Sequence, residues 1–344
     1  MRGWWRVRRR LQGAGAPTVD ARPPGLSFGA WERLASDVLV VCHPDWRGVR
    51  VAAYAHREPV VEVADAGRWA ADLAAQVEQA GVRTVVAHGY PPGTDRLLRE
   101  LARRGVRGLV VLHSSMAQHG GEAGEAAVAD AVATLARDRV VERIGFVKQG
   151  LAEAFAELGY PASWVPNRAP RLPAVERLDL GRDRFHVGVF AEPFWRKNVV
   201  TQLAAVALLD GRARAHVLHR PEVGYLRALD VAEHGEVAWE RFVQLQASVD
   251  LNLYVTLSEC YPLSPIESYL CDVPCLTSRA SSVFRDDPAL WAVTTVETPD
   301  DPQAIADGAR RLLEGRDEAV RRARSWIARW DELAGERWRD FTRG

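Results

Sequence analysis

The chain has 344 residues, 45 basic against 45 acidic side chains, a formal net charge of zero and 47% hydrophobic residues. That length predicts two domains with full cores, the composition excludes a disordered chain, and the charge balance argues against a nucleic-acid binder, which needs a clustered basic surface. No run of 18 apolar residues occurs, so no segment is expected to span a membrane.

Residues 1–35 read as a basic and aromatic segment, opening Met1-Arg2-Gly3-Trp4-Trp5-Arg6-Val7-Arg8-Arg9-Arg10-Leu11. No apolar signal-peptide core follows. Residues 1–11 could lie on an anionic membrane surface, with Trp at the interface and Arg on head groups, or simply fray. From residue 36, apolar runs of strand length alternate with amphipathic stretches of helix length: strand 37–42, helix 66–80, strand 82–87, helix 94–103, strand 109–112, helix 124–136, strand 144–147 and helix 151–158. Such alternation means parallel strands buried on both faces and joined by crossover helices. The stretch 165–173 holds Pro166, Pro170 and Pro173 and reads as a hinge. The pattern then restarts with strand 186–190, helix 199–209, strand 215–218, a strand-like 235–238, helix 240–248, strand 251–255, helix 265–270 and strand 274–277. From Pro302 the chain reads as helical. The predicted architecture is α/β: two doubly wound Rossmann-like domains, 36–170 and 171–315, facing a cleft, with a C-terminal helix, 316–344, packing back on the first. Ligands of such sheets sit beyond the carboxyl ends of the strands, here in the cleft.

Only two of the 45 basic residues are lysines, Lys148 and Lys197, which makes both worth inspection in a chain that uses arginine almost everywhere else. The cysteines, Cys42, Cys260, Cys271 and Cys275, have no zinc spacing with nearby histidine, so no metal site is expected. Their sparsity fits a reducing, cytoplasmic setting. The most informative stretch is 250–269, where a buried strand ends in a polar loop, Ser258-Glu259-Cys260-Tyr261-Pro262-Leu263, that feeds directly into a helix carrying Glu267. Free backbone N–H groups and the positive end of the helix dipole suit a diphosphate there. The two carboxylates would repel phosphate and should address neutral hydroxyls.

Ser258-Glu259, seven intervening residues, Glu267 and then Asp272-Val273-Pro274 resemble the signature of family-four glycosyltransferases, retaining enzymes of the GT-B fold. Val187-Gly188-Val189-Phe190, followed by Arg196-Lys197-Asn198-Val199, resembles the strand–loop–helix that carries their donor-phosphate lysine; Asp250 and the Val165-Pro166-Asn167 exit also match. The resemblance covers roughly residues 36–320 and is thin in the first domain. It implies that Glu267 holds the ribose, that Glu259 touches the transferred sugar, and that the backbone of Cys260, Tyr261, Pro262 and Leu263 wraps sugar and diphosphate. Lys197 or its neighbour Arg196 would neutralise the leaving diphosphate. It further implies a nucleotide-diphosphate sugar as donor, no separate cofactor, no metal, and a carbohydrate, lipid-linked or small-molecule acceptor. His113, at the end of its strand, would touch the donor sugar; Gly188 and Gly48 would allow close approach, and Trp239 would meet the base. His88, Tyr90 and Lys148 could line the acceptor side. Three departures stand out: Val189 follows Gly188 where the family has Arg, Pro193-Phe194-Trp195 lengthens the phosphate loop, and Asp272 takes a glycine position. Two other classes therefore stay open, a non-catalytic partner or nucleotide-sugar sensor of the same fold and a nucleotide-sugar epimerase.

Overall fold

A computed structural model of the protein describes residues 36–209 and 211–344, so the expectation for residues 1–11 lies outside the described residues. Two six-stranded sheets, every pairing parallel, make two domains. The first contains β1 (Val38–Cys42), β2 (Val60–Glu62), β3 (Thr84–His88), β4 (Arg107–Leu112), β5 (Arg143–Phe146) and β6 (Ala162–Trp164), in the order β2-β1-β3-β4-β5-β6. The second contains β7 (Phe185–Val189), β8 (Ala213–Val217), β9 (Val231–Glu233), β10 (Leu251–Tyr254), β11 (Cys275–Ser278) and β12 (Thr295–Val296), in the order β12-β11-β10-β7-β8-β9. Both orders reverse once, at β1/β3 and at β7/β10, and such a reversal opens a crevice at the strands' carboxyl ends.

The continuous Val and Leu runs have the expected cause. All five residues of β1 and all five of β3 are buried, because helices cover both sheet faces. One core cluster lines the second sheet and reaches the first through Trp338 and Phe341; another fills the far face of the first sheet around Leu73, Leu98 and Leu101. The helix Arg316–Arg343 joins the two domains along its length. Near its start Trp326 and Trp330 stack at 4.9 Å, and Tyr261 stacks on Trp330 at 5.0 Å. Further along, Asp331 accepts from Arg168 and Arg57, and Arg107 and Arg143 donate to the carbonyls of Thr342 and Asp340.

Two local readings change. Gly48, expected to allow close approach after the first strand, lies in the helix Arg47–Ala55, for which no element was predicted. Its buried face is made of Ala52, Ala53 and Ala55, without the large apolar side chains that marked the predicted helices. The stretch 235–238 is not a strand; β9 lies earlier, at Val231–Glu233. Asp272 adopts φ 60°, the left-handed conformation for which glycine is the usual choice, and Arg324 pairs with its exposed carboxylate.

Candidate active site at the interdomain cleft

Two loops leave the β7/β10 crevice and are sewn together. Asn198, at φ 57°, ends the first and donates from Nδ2 to the Val255 carbonyl at 3.0 Å. Gln202 donates to the Lys197 carbonyl at 2.8 Å and accepts from the Val255 N–H at 2.9 Å, while the Leu257 N–H donates to the Arg196 carbonyl at 2.8 Å. This stitching places both cations over the end of β10. Lys197 Nζ donates to the Tyr254 hydroxyl at 2.6 Å and to Glu259 Oε1, and Tyr254 donates to the same oxygen at 3.1 Å. Arg196 stands 4.0 Å from that carboxylate and 3.5 Å from Glu122 of the first domain. Burial, then the Glu259 charge, pushes the Tyr254 phenol well above its usual range, so it stays a neutral donor. All these contacts fall on Oε1; among the described residues Oε2 of Glu259 has no partner.

Both lysines of the chain converge on this residue. Lys148, at the end of β5, donates to the Glu259 carbonyl at 3.0 Å and to the Ala280 carbonyl at 2.9 Å, and burial lowers its pKa. The acceptor-side role expected for Lys148 is thus replaced by a bridge between domains. Asn167 adds a second bridge, donating to the Tyr261 carbonyl at 3.2 Å, and Ser115 and Ser258 a third, with their hydroxyls 2.9 Å apart.

Glu267 lies in the first turn of the helix Ser264–Leu270 and is buried. Burial raises its pKa, opposed in part by the Trp239 indole, which donates to Oε1 at 3.0 Å, and by the charge of Arg47. Trp239 therefore meets Glu267 directly. Arg47 comes from the first domain and sits 4.0 Å over the Phe242 ring. Sequence reasoning passed over Arg47, Tyr254, Ser115 and Glu122; the available signal was Tyr254 at the end of its strand and Arg47 as the cation of the segment leaving β1.

Several expected residues lie away from this cluster or do another job. A Cβ on Gly188 would stand 2.2 Å from Asn252 Oδ1 and 2.4 Å from the Phe190 ring, so packing requires that glycine. Gly48 lies in a helical turn where a Cβ would meet nothing within 4 Å, so no neighbouring protein group demands glycine there. The Tyr261 side chain turns away to stack on Trp330, and Pro262 and Leu263 are buried beneath the loop, with Cys260 half-buried beside them. His113, half-buried beyond the end of β4, bonds through Nε2 to Nδ1 of His88 at 2.9 Å. His88 is fully buried and so does not line the cleft. Tyr90 is half-buried, its hydroxyl without a partner. Two surface cavities, of about 470 and 620 Å³, lie elsewhere: one beside Arg107, Glu142 and Pro161 at the amino ends of the first sheet, the other beside Trp291, Val296 and Asp307. Among the described residues no group of three or more His, Cys, Asp or Glu is placed to hold a metal ion.

Two Rossmann-like domains that meet carboxyl end to carboxyl end across such a cleft define the GT-B fold. Solved structures of that fold are similar over nearly the whole chain. OtsA in its apo form gives a TM-score of 0.61 at 12% identity, over 89% of this chain and 99% of that one. An alpha,alpha-trehalose-phosphate synthase (UDP-forming) from Burkholderia xenovorans, in complex with glucose-6-phosphate, gives 0.59 at 13%, over 88% and 99%. Anabaena Alr3699/HepE, in complex with UDP, gives 0.57 at 14%, over 87% and 95%. No protein-family profile matches the chain, and no curated protein matches it by sequence. At these identities the likeness establishes the fold.

Proposed function

We propose that the protein is a retaining glycosyltransferase that moves a sugar from a nucleotide-diphosphate donor to a hydroxyl of a carbohydrate, lipid-linked or small-molecule acceptor. The observation that carries this is the convergence of Arg196, Lys197 and Tyr254 on Glu259 at the β7/β10 crevice, where a doubly wound sheet takes its ligand. Donor binding would draw Arg196 and Lys197 onto the diphosphate, whose charge grows as the sugar leaves; stabilising growing charge is what accelerates the step. Oε2 of Glu259 is the oxygen open to a sugar hydroxyl, and Glu267 faces the ribose beside Trp239. The C1–diphosphate bond breaks and the acceptor oxygen bonds to C1 on the same face, its proton passing to the departing diphosphate. Two cations do the neutralising in this scheme, so it assigns no step to a metal. Complexes of two similar structures, with UDP and with UDP-2-fluoro glucose, support a nucleotide-sugar donor.

The test is thermal denaturation with UDP, ADP, GDP and dTDP. At a concentration 100 times Kd, a bound nucleotide adds about 2.7 kcal/mol, and the shift should vanish in Arg196→Ala. No shift with any of the four would refute the reading. One observation favours a non-catalytic nucleotide-sugar sensor: each cation already carries a carboxylate, Glu259 or Glu122, and Trp239 already holds Glu267. Donor binding without transfer or donor hydrolysis, across a broad acceptor panel, would identify that alternative.

A further inference from the structure

Three histidines form a chain leading inward from the cleft. His113 Nε2 lies 2.9 Å from His88 Nδ1, and His88 Nε2 lies 3.0 Å from His56 Nε2. His56 stacks on Trp338 of the C-terminal helix at 3.7 Å, and its Nδ1 is buried with no partner. Burial lowers the pKa of all three, that of His113 to about 4, so three neutral rings share three protons at neutral pH. Each neutral imidazole has one N–H and one lone pair, so only two proton orders satisfy both N···N contacts, and the Val49 main chain, which also faces His88, favours a proton on that ring.

In the inward order each ring donates toward His56, whose own proton must then sit on Nδ1. That leaves an N–H buried against Trp338 with no acceptor, the rarest kind of unsatisfied group. In the outward order His56 Nε2–H donates to His88, His88 Nδ1–H donates to His113 Nε2, and the proton of His113 sits on Nδ1. That nitrogen has no partner among the described residues and belongs to a half-buried ring beside the Ser115–Ser258 bridge.

We propose that His88 and His56 are positioning residues that hold His113 in its Nδ1–H tautomer, so that His113 offers the cleft a hydrogen-bond donor to a substrate oxygen and cannot act as a base. The tautomer assignment stands without the transferase reading; only the kinetic readout rests on it. The test is ring-nitrogen NMR on the full chain labelled with ¹⁵N-histidine, the His113 signals being assigned by their loss in His113→Gln. A protonated Nδ1 and an unprotonated Nε2 on His113 are expected. His56→Phe keeps a ring against Trp338 but removes the inner donor, so the His113 signals should move toward a mixture of tautomers. His56→Gln can still donate to His88 and should restore them. With a competent substrate pair, His56→Phe should lower kcat roughly three- to tenfold, the effect of one neutral hydrogen bond, and His56→Gln should recover it. An unprotonated Nδ1 on His113 in the wild type, or a His113 tautomer indifferent to both variants, would overturn the proposal whether or not transfer is observed.

Discussion

Each domain threads three histidines across its sheet, and the two chains end differently. In the second domain His186 Nε2 faces the Gly181 carbonyl at 3.2 Å and must donate to it. His216 then donates to His186 at 2.9 Å, and His234 to His216 at 3.0 Å. One backbone carbonyl dictates every proton in that chain. In the first domain, among the described residues, no carbonyl meets the inner end of the chain at His56 Nδ1; the Val49 main chain meets the middle ring, His88, and the outer end reaches the cleft. The walls differ as well: the second domain meets the cleft with Arg196, Lys197 and Glu259 clustered at one carboxylate, while the first sets Glu122, Lys148 and Arg47 apart from one another around the outer end of its histidine chain. A histidine chain tied off on the main chain is structural; one left open at a cleft can address a ligand.

The largest test of that contrast is on the second domain's wall. Lys197→Ala leaves the buried Glu259 carboxylate without its nearest cation and should lower stability by roughly 3–5 kcal/mol. Adding Glu259→Ala should recover much of that loss in a urea-melt cycle, and purely additive losses would show that the pair is not coupled. At the inner end of the first domain's histidine chain, Trp338→Ala removes the seat of His56 and should cost about 3–5 kcal/mol by cavity formation. A loss below about 1 kcal/mol would mean that the first chain needs no such seat.

The pH dependence comes next. The folded pKa of His113 is about 4 and that of His216 about 3, against the usual 6.5, both depressed chiefly by burial. Protons therefore bind the unfolded chain first. The stability these rings contribute is fully present above pH 6.5 and is lost as pH falls from 6.5 toward 4, by up to about 3 kcal/mol for His113. His113→Gln should flatten the fall in melting temperature over that window, as should His216→Gln. An unchanged pH profile in both variants would contradict buried neutral rings. The smallest effect is at the bridge between the walls. Ser115→Ala and Ser258→Ala should each cost about 0.5–1.5 kcal/mol, and the double variant should cost less than their sum.

Much of the fold was legible because parallel strands buried on both faces leave unbroken Val and Leu runs, as in β1 and β3. Helix Thr94–Arg103 begins and ends where its sequence predicts, with Gly93 at φ 72° before it. The misses lie where few large apolar side chains are buried: Arg47–Ala55 presents three alanines to the core, and β12 has two residues. At the site, residue types and spacing in sequence brought Glu259, Glu267, Arg196 and Lys197 forward, because those signals run along the chain. Contacts made across the cleft left no such trace. Nothing local distinguishes Lys148 as a bridge to the Glu259 carbonyl, Arg47 as a lid on Phe242, or Tyr261 as a plate under Trp330.

The convergence of Lys148 and Lys197 on Glu259 has a chemical consequence. In the described part of the chain both side-chain primary amines donate to a single residue, Glu259, Lys197 to its carboxylate and Lys148 to its main-chain carbonyl. Amine-directed chemistry, usually scattered over a protein surface, becomes here a reagent addressed to the cleft. Mild reductive methylation followed by peptide mass mapping would therefore read the opening of the two domains residue by residue, with Lys148 reporting the bridge and Lys197 the ion pair behind it.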